Sequence, residues 1–230
     1  MTPALQLDRV SFSFDSGAPA LSCISLRIAP GEKVALVGAN GAGKSTLLWC
    51  ALGLLHAQGD IRFFGEQQSA HSMRRVGMVF QNPEDQLFMP SILDDLTLPL
   101  LNRGSVREAA TARAHEMLSR VGLDDLSSKP ARELSLGQRK RAVIAAALTG
   151  SPELLVLDEP TSELDGRSRR VLAALLRSLD MTLFIASHDL SFLNGIVSRV
   201  LALDRGRLVG DFPAEDFFRN LSLQEQLGLI

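Results

Sequence analysis

The chain of 230 residues is 46% hydrophobic and 22% charged, which suits a globular protein with a buried core. Its net charge of −2 supplies no basic field, so no nucleic-acid partner is expected. The longest apolar run, Leu47 to Leu55, is too short to cross a bilayer, and one domain with a subdomain is expected over 1–230.

The segment Met1 to Asp8 has no basic stretch ahead of an apolar core, so no signal peptide is expected. Val10, Phe12 and Phe14 alternate with Ser11 and Ser13, which predicts a strand. After turn chemistry at Ser16-Gly17-Ala18-Pro19, a less regular strand is expected through Leu21, Cys23, Ser25, Leu26 and Ile28. Pro30-Gly31 breaks that run, and Val34 to Val37 reads as a short buried strand. Directly after it, Gly38-Ala39-Asn40-Gly41-Ala42-Gly43-Lys44-Ser45 is a complete G-x-x-x-x-G-K-[ST] phosphate loop, followed by Thr46 and a helical stretch, Leu47 to Leu52. The glycines let the backbone fold back so that its N–H groups face phosphate oxygens. The helix N-terminus adds partial positive charge. Lys44 is expected to reach the β- and γ-phosphates of a nucleotide, and the Ser45 hydroxyl to hold Mg²⁺.

Gly59 to Phe64 and Val76 to Phe80 predict two further strands, the second ending at Gln81. From about 85 to 150 the pattern turns helical. Ser105-Val106-Arg107-Glu108 has the spacing of a capping box. Ala110, Ala114, Met117, Leu118 and Val121 then form one apolar face, stopped by Gly122. Ser135 to Gln138 opens the next helix, with Val143 to Leu148 as its body and Gly150 as its end. Strands and helices then alternate: Leu154–Leu157, a helix over Val171–Leu179, Leu183–Ala186, a short helix near Leu190–Ile196, and Val200–Leu203. Asp204-Arg205-Gly206 is a turn that pairs Leu208-Val209 back as a hairpin. Phe217, Phe218 and Leu221 suggest a final amphipathic helix. Such alternation around a phosphate loop predicts a mostly parallel sheet with helices on both faces.

The strand Leu154 to Leu157 runs into Asp158 and Glu159, at the sheet edge where α/β proteins bind ligands. Asp158 is placed to help hold Mg²⁺, and Glu159 to orient or deprotonate an attacking water. Cys23 and Cys50 lack metal-like spacing and are expected as reduced core residues. His56, His71 and His115 carry no spacing argument.

Leu134-Ser135-Leu136-Gly137-Gln138 resembles the L-S-G-G-Q signature of ATP-binding-cassette ATPases. Pro160 to Asp165 resembles their D-loop, Ser187-His188-Asp189 their switch histidine, and Gln81 their Q-loop. With the phosphate loop and Asp158-Glu159, the resemblance covers essentially the whole chain. It implies a P-loop nucleotide hydrolase core of α/β class, with an N-terminal antiparallel β subdomain, a helical insertion at about 85–150 and a short tail at about 211–230. It implies ATP and Mg²⁺ as ligands. Ser45, Gln81 and Asp158 would hold the metal, and Glu159 and His188 would be catalytic. Phe14 stands where such proteins stack an aromatic on adenine, usually tyrosine, which this chain lacks. Ser135, Gly137, Gln138 and Asp165 would face the ATP of a second ATPase subunit. Leu136 replaces the first glycine of the signature, and its side chain would narrow the partner nucleotide's approach.

Phe80-Gln81-Asn82-Pro83-Glu84-Asp85-Gln86-Leu87-Phe88 is similar to the Q-loop of energy-coupling-factor and cobalt-type importer ATPases, and Asp94-Asp95-Leu96 continues the likeness. In brevity, ending at Ile230, the chain is similar to the biotin-type importers. The resemblance implies a homodimer or a pair with a related paralogue, a transmembrane coupling protein and a substrate-binding membrane protein, at the cytoplasmic face of the cell membrane. Leu87 and Phe88 are expected to meet the membrane partner. Cargo would be a vitamin or a transition-metal ion; another importer or an exporter shares the same motifs. A DNA-repair or chromosome-structure ATPase needs a long coiled-coil or zinc insertion, for which there is no room. A non-catalytic nucleotide-binding module predicts loss of Glu159 or His188, and both are present.

Overall fold

A computed structural model describes residues 2–15 and 17–229; Ser16, part of the first expected turn, lies outside them. Six strands form the larger sheet: β3 (Lys33–Val37), β6 (Val76–Val79), β7 (Leu154–Asp158), β8 (Thr182–Ala186), β9 (Arg199–Asp204) and β10 (Arg207–Pro213). Their order is β10-β9-β3-β8-β7-β6, parallel except for the β9–β10 hairpin.

The apolar runs of this sheet follow from burial on both faces. Successive side chains point to opposite sides of a strand. Val34 and Leu36 of β3 join one core and Ala35 and Val37 the other. Leu154 and Val156 of β7 part from Leu155 and Leu157 in the same way, as do Phe184 and Ala186 of β8 from Leu183 and Ile185.

One core lies against a four-stranded antiparallel sheet of β1 (Leu5–Ser13), β2 (Pro19–Ile28), β4 (Gln58–Phe63) and β5 (Glu66–Gln67), ordered β2-β1-β4-β5. Leu47 and Leu48 of α1 (Lys44–Ala51) share it. The pairing of β1 with β2 shifts register between Leu7 and Val10 and again by Phe12. That irregularity turns Cys23 outward at φ 51, so Cys23 is exposed while Cys50 is buried, and the expectation of two core cysteines is corrected for Cys23.

The other core is covered by α3 (Ile92–Asn102), α4 (Arg107–Arg120), α5 (Leu136–Thr149) and α6 (Gly166–Ser178). Ala110, Ala114, Met117 and Leu118 are the buried face of α4, as the periodicity predicts. The expected capping box at Ser105 does not form. The Ser105 N–H is engaged by the Leu100 carbonyl at the end of α3, so the helix starts one residue later, at Arg107, with Val106 in the cap position and no side-chain cap. The C-terminal helix is likewise two: α8 (Ala214–Arg219) and α9 (Leu221–Gln226), broken at Asn220, whose side chain caps the second. Phe217 is buried but Leu221 is exposed, so the two do not share one apolar face. A short α2 (Ala70–Met73) precedes β6, and α7 (Leu190–Leu193) follows β8.

Candidate active site

The phosphate loop bends between β3 and α1 because close packing excludes side chains at its ends. A Cβ on Gly38 would collide with the Leu203 carbonyl. Gly43 has φ 103, and a Cβ there would stand only 3.0 Å from the Ala20 carbonyl. The β9–β10 turn supports the loop from outside. Gly206, at φ 72, donates its N–H to the Ala42 carbonyl at 2.9 Å and accepts from the Ser22 N–H at 2.8 Å.

Phe14, Asn40, Gly41, Gly43, Lys44, Ser45, Thr46, Gln81, Glu159 and His188 line one cavity of about 700 Å³. All ten are residues that the sequence marks out. Pro19, Ala20, Arg205 and Gly206 complete its wall and are not. Asp204-Arg205-Gly206 is legible as a turn, but nothing in its residues says what it packs on. Phe14 lies past the end of β1, 48% exposed, with its ring edge-on to Phe12 at 4.9 Å, so it is an outward aromatic and not an inward strand residue. Gly38 and Ala42 shape the loop from behind and do not reach the cavity wall.

The side chains of Lys44, Glu159 and His188 meet at the cavity floor. The Lys44 ammonium donates to the carbonyls of Gly38 (2.8 Å) and Ala39 (3.3 Å) and lies 3.4 Å from Glu159 Oε1. Glu159 Oε2 is 2.9 Å from His188 Nδ1 and accepts from the Ser187 hydroxyl at 3.3 Å. Glu159 holds φ 42, a left-handed conformation that a non-glycine residue adopts at a cost of roughly 1–3 kcal/mol. Beside it, the Ser45 hydroxyl donates to Asp158 Oδ1 at 3.0 Å. Burial pushes the Asp158 carboxyl up from its ordinary pKa, and the Ser45 hydrogen bond opposes that rise.

Lys140 is a site residue that the sequence reading misses. It is 2% exposed, and its ammonium donates to the carbonyls of Gln81 and Glu159 and to the Ser162 hydroxyl. Burial pushes its pKa down to about 8, with the carboxylates of Glu163, Glu159 and Asp158 opposing the fall. A signal was available, because Lys140, Val143, Ile144 and Leu148 are all buried on α5 at helical spacing. A lysine on an apolar stripe needs a partner. Lys140 lines a second cavity of about 340 Å³ with Trp49, Leu136 and Asp158.

Ser135, Gly137, Gln138 and Asp165 do not reach the first cavity. Ser135 and Gln138 open α5 as expected and form a capping box there, at 3.3 and 2.8 Å. Asp165 caps α6, accepting from the Ser168 N–H at 2.7 Å, and that bond holds its carboxyl below its usual range. The cap starts α6 at Gly166, a turn before the expected Val171. Gly137 packs on α6 so closely that a Cβ would collide with the Ser168 side chain.

Past Gln81, Phe88 is 70% exposed but Leu87 is only 6% exposed and belongs to the core, which corrects the expectation that both face outward. The Asp95 carboxylate holds this bend, accepting from the N–H groups of Phe88 and Met89, each at 3.0 Å. Among the described residues, no helix is long and apolar enough to cross a membrane.

The sequence profile of the family described as "ABC transporter" matches residues 21–162. The chain is 38% identical over 247 residues to the nickel import ATP-binding protein NikO of Rhodobacter capsulatus, covering 100% of this chain and 97% of that protein. It is 34% identical over 235 residues to the energy-coupling factor transporter ATP-binding protein EcfA of Methanothermobacter thermautotrophicus, covering 98% and 76%. The solved structure of cbiO1 from Clostridium perfringens, described as part of the ABC transporter complex cbiONQ, superposes with a TM-score of 0.84 at 30% identity, covering 100% and 96%. The chain belongs to the ABC transporter family and is an ATP-binding, ATP-hydrolysing subunit of that family.

Proposed function

We propose that this chain is the ATPase of an energy-coupling-factor type importer that takes up a vitamin or a transition-metal ion. The observation that carries the reading is the presentation of Phe88. This large apolar side chain stands in solvent just after Gln81, and Asp95 fixes its backbone. It borders a groove of about 260 Å³ lined by Met78, Asp95, Leu98 and Pro99. Exposed apolar surface of this kind marks an interaction site. Because it adjoins the Gln81 loop, a partner seated there can sense the ATP site. The likeness to the nickel import protein NikO supports the transition-metal cargo, and the likeness to EcfA the transporter type.

In this reading ATP lies in the first cavity, with Phe14 stacked on adenine and Lys44 and the loop amides on the phosphates. Glu159 orients the attacking water, and His188 aims Glu159 through their 2.9 Å contact. Ser45, Asp158 and the Gln81 side chain offer oxygen donors, which fit Mg²⁺. When bound, Mg²⁺ neutralises phosphate charge. The segment Ser135–Gln138 lies away from the chain's own cavity, so it serves the ATP of a second ATPase subunit, a copy or a related paralogue. The chain works at the cytoplasmic face of the membrane, with a transmembrane coupling protein and a substrate-binding membrane protein.

The test is reconstitution in vesicles with a transmembrane coupling protein and a substrate-binding membrane protein from the same organism. ATP-dependent accumulation of a labelled vitamin or of nickel or cobalt is expected, with Phe88→Ser weakening assembly and leaving ATP binding intact. ATP-driven efflux, or uptake and assembly untouched by Phe88→Ser, contradicts the reading.

A further inference from the structure

We infer that Lys140 is a positioning residue for ATP hydrolysis, holding Glu159 by its backbone carbonyl and tying it to Gln81 and Ser162. The inference rests on the reading of Glu159 as the group that orients water. An ammonium has three N–H donors. Here they meet the Ser162 hydroxyl at 2.8 Å, the Gln81 carbonyl at 2.9 Å and the Glu159 carbonyl at 3.3 Å. Those acceptors stand on separate segments: the chain after β6, the end of β7, and the turn leading to α6. Lys140 itself stands on α5, in the turn that follows the signature residues.

A buried charge is a poor device for stability alone, since an apolar side chain can fill the same place. This one sits where the backbone needs holding. Left-handed conformations of non-glycine residues persist only when their surroundings impose them. Glu159 is clamped on both sides of its Cα. Its N–H donates to the Ala186 carbonyl at 2.8 Å, and its own carbonyl accepts from Lys140 at 3.3 Å and from the Ser162 N–H at 3.1 Å, the residue whose hydroxyl Lys140 also holds. Without the Lys140 donors the Glu159 carbonyl keeps only the Ser162 N–H, on a residue whose hydroxyl has then lost its own anchor, and the aim of the carboxylate loosens. Because the same ammonium holds the Gln81 carbonyl, a displacement of α5 is delivered to both residues at once.

The test uses the purified full chain and the variants Lys140→Met, Glu159→Gln and the double variant, with folding checked by circular dichroism and Tm. ADP affinity is read by equilibrium dialysis with labelled ADP. Lys140→Met should lower kcat by about tenfold or more, with KM and ADP affinity within about threefold of wild type. In the Glu159→Gln background the same change should have an effect within about twofold, because residues acting as a unit are not additive. Equal fold losses in both backgrounds, a loss mainly in KM, or near wild-type kcat overturns the inference. Should Lys140→Met fail to fold, Lys140→Gln, which keeps a polar group there, is put through the same cycle. A wild-type rate for Glu159→Gln alone overturns the reading of Glu159, and the inference with it. A dead Glu159→Gln beside a normal Lys140→Met overturns the inference alone.

Discussion

The phosphate-loop region and the signature region are both built on helix N-termini, yet they end in different states. Around α1, one chain gathers ten sequence-predicted residues, drawn from distant segments, along a single open cavity. Around α5, Ser135 is exposed at the helix start and shares no cavity with them. The difference lies in what each end faces. The phosphate loop curls back under the β9–β10 turn, whereas the start of α5 is closed by its own capping box and is otherwise open. A helix N-terminus that is capped, exposed and unused by its own chain is a surface suited to another molecule's anion. In the function proposed above, the two regions are halves of a site that one chain does not complete.

The largest expected effect tests the phosphate-loop half. Glu159→Gln removes the carboxylate and leaves Lys44 and the loop amides in place. Turnover should fall by about two orders of magnitude or more, with ATP affinity nearly unchanged. Steady-state hydrolysis near the wild-type rate rules out the assigned role. A smaller effect sharpens the boundary of the same half. Phe14→Ala removes the exposed ring that the proposed function stacks on adenine. ATP affinity should fall by about two- to tenfold, from roughly 0.5–1.5 kcal/mol of lost aromatic contact. Unchanged affinity in a binding titration would move adenine elsewhere.

Much of this was legible because the chemistry is local. The phosphate loop, the Asp158-Glu159 strand end and the capped start of α5 each lie in one short stretch, and each took its expected place. The central strands of the larger sheet, β3, β7 and β8, are legible because burial on both faces demands continuous apolar runs. What escaped depends on contacts between distant segments. Gly206 reads as turn chemistry, and only the fold shows it bonded to Ala42. Leu87 and Phe88 are equally apolar neighbours, and only packing separates the buried one from the exposed one. Ser105 has the right spacing for a cap, but the end of α3 claims its N–H first.

The central claim is that two chains share each site, and mixing two inactive variants tests it most directly. Lys44→Ala disables the phosphate-loop half. Gly137→Asp is a poor choice for the other half, because any side chain there meets Ser168 in the same chain. Ser135→Asp avoids that: Asp caps a helix about as well as Ser, so α5 keeps its start while a carboxylate faces the partner's γ-phosphate. Each variant alone carries its lesion in both sites and should be inactive. In a mixed pair one site collects both lesions and the other none. The account predicts that mixing restores ATP-dependent closure, read by cross-linking between subunits, together with part of the hydrolysis. Full activity of Ser135→Asp on its own, or verified mixed pairs that neither close nor hydrolyse at any ratio, would contradict it.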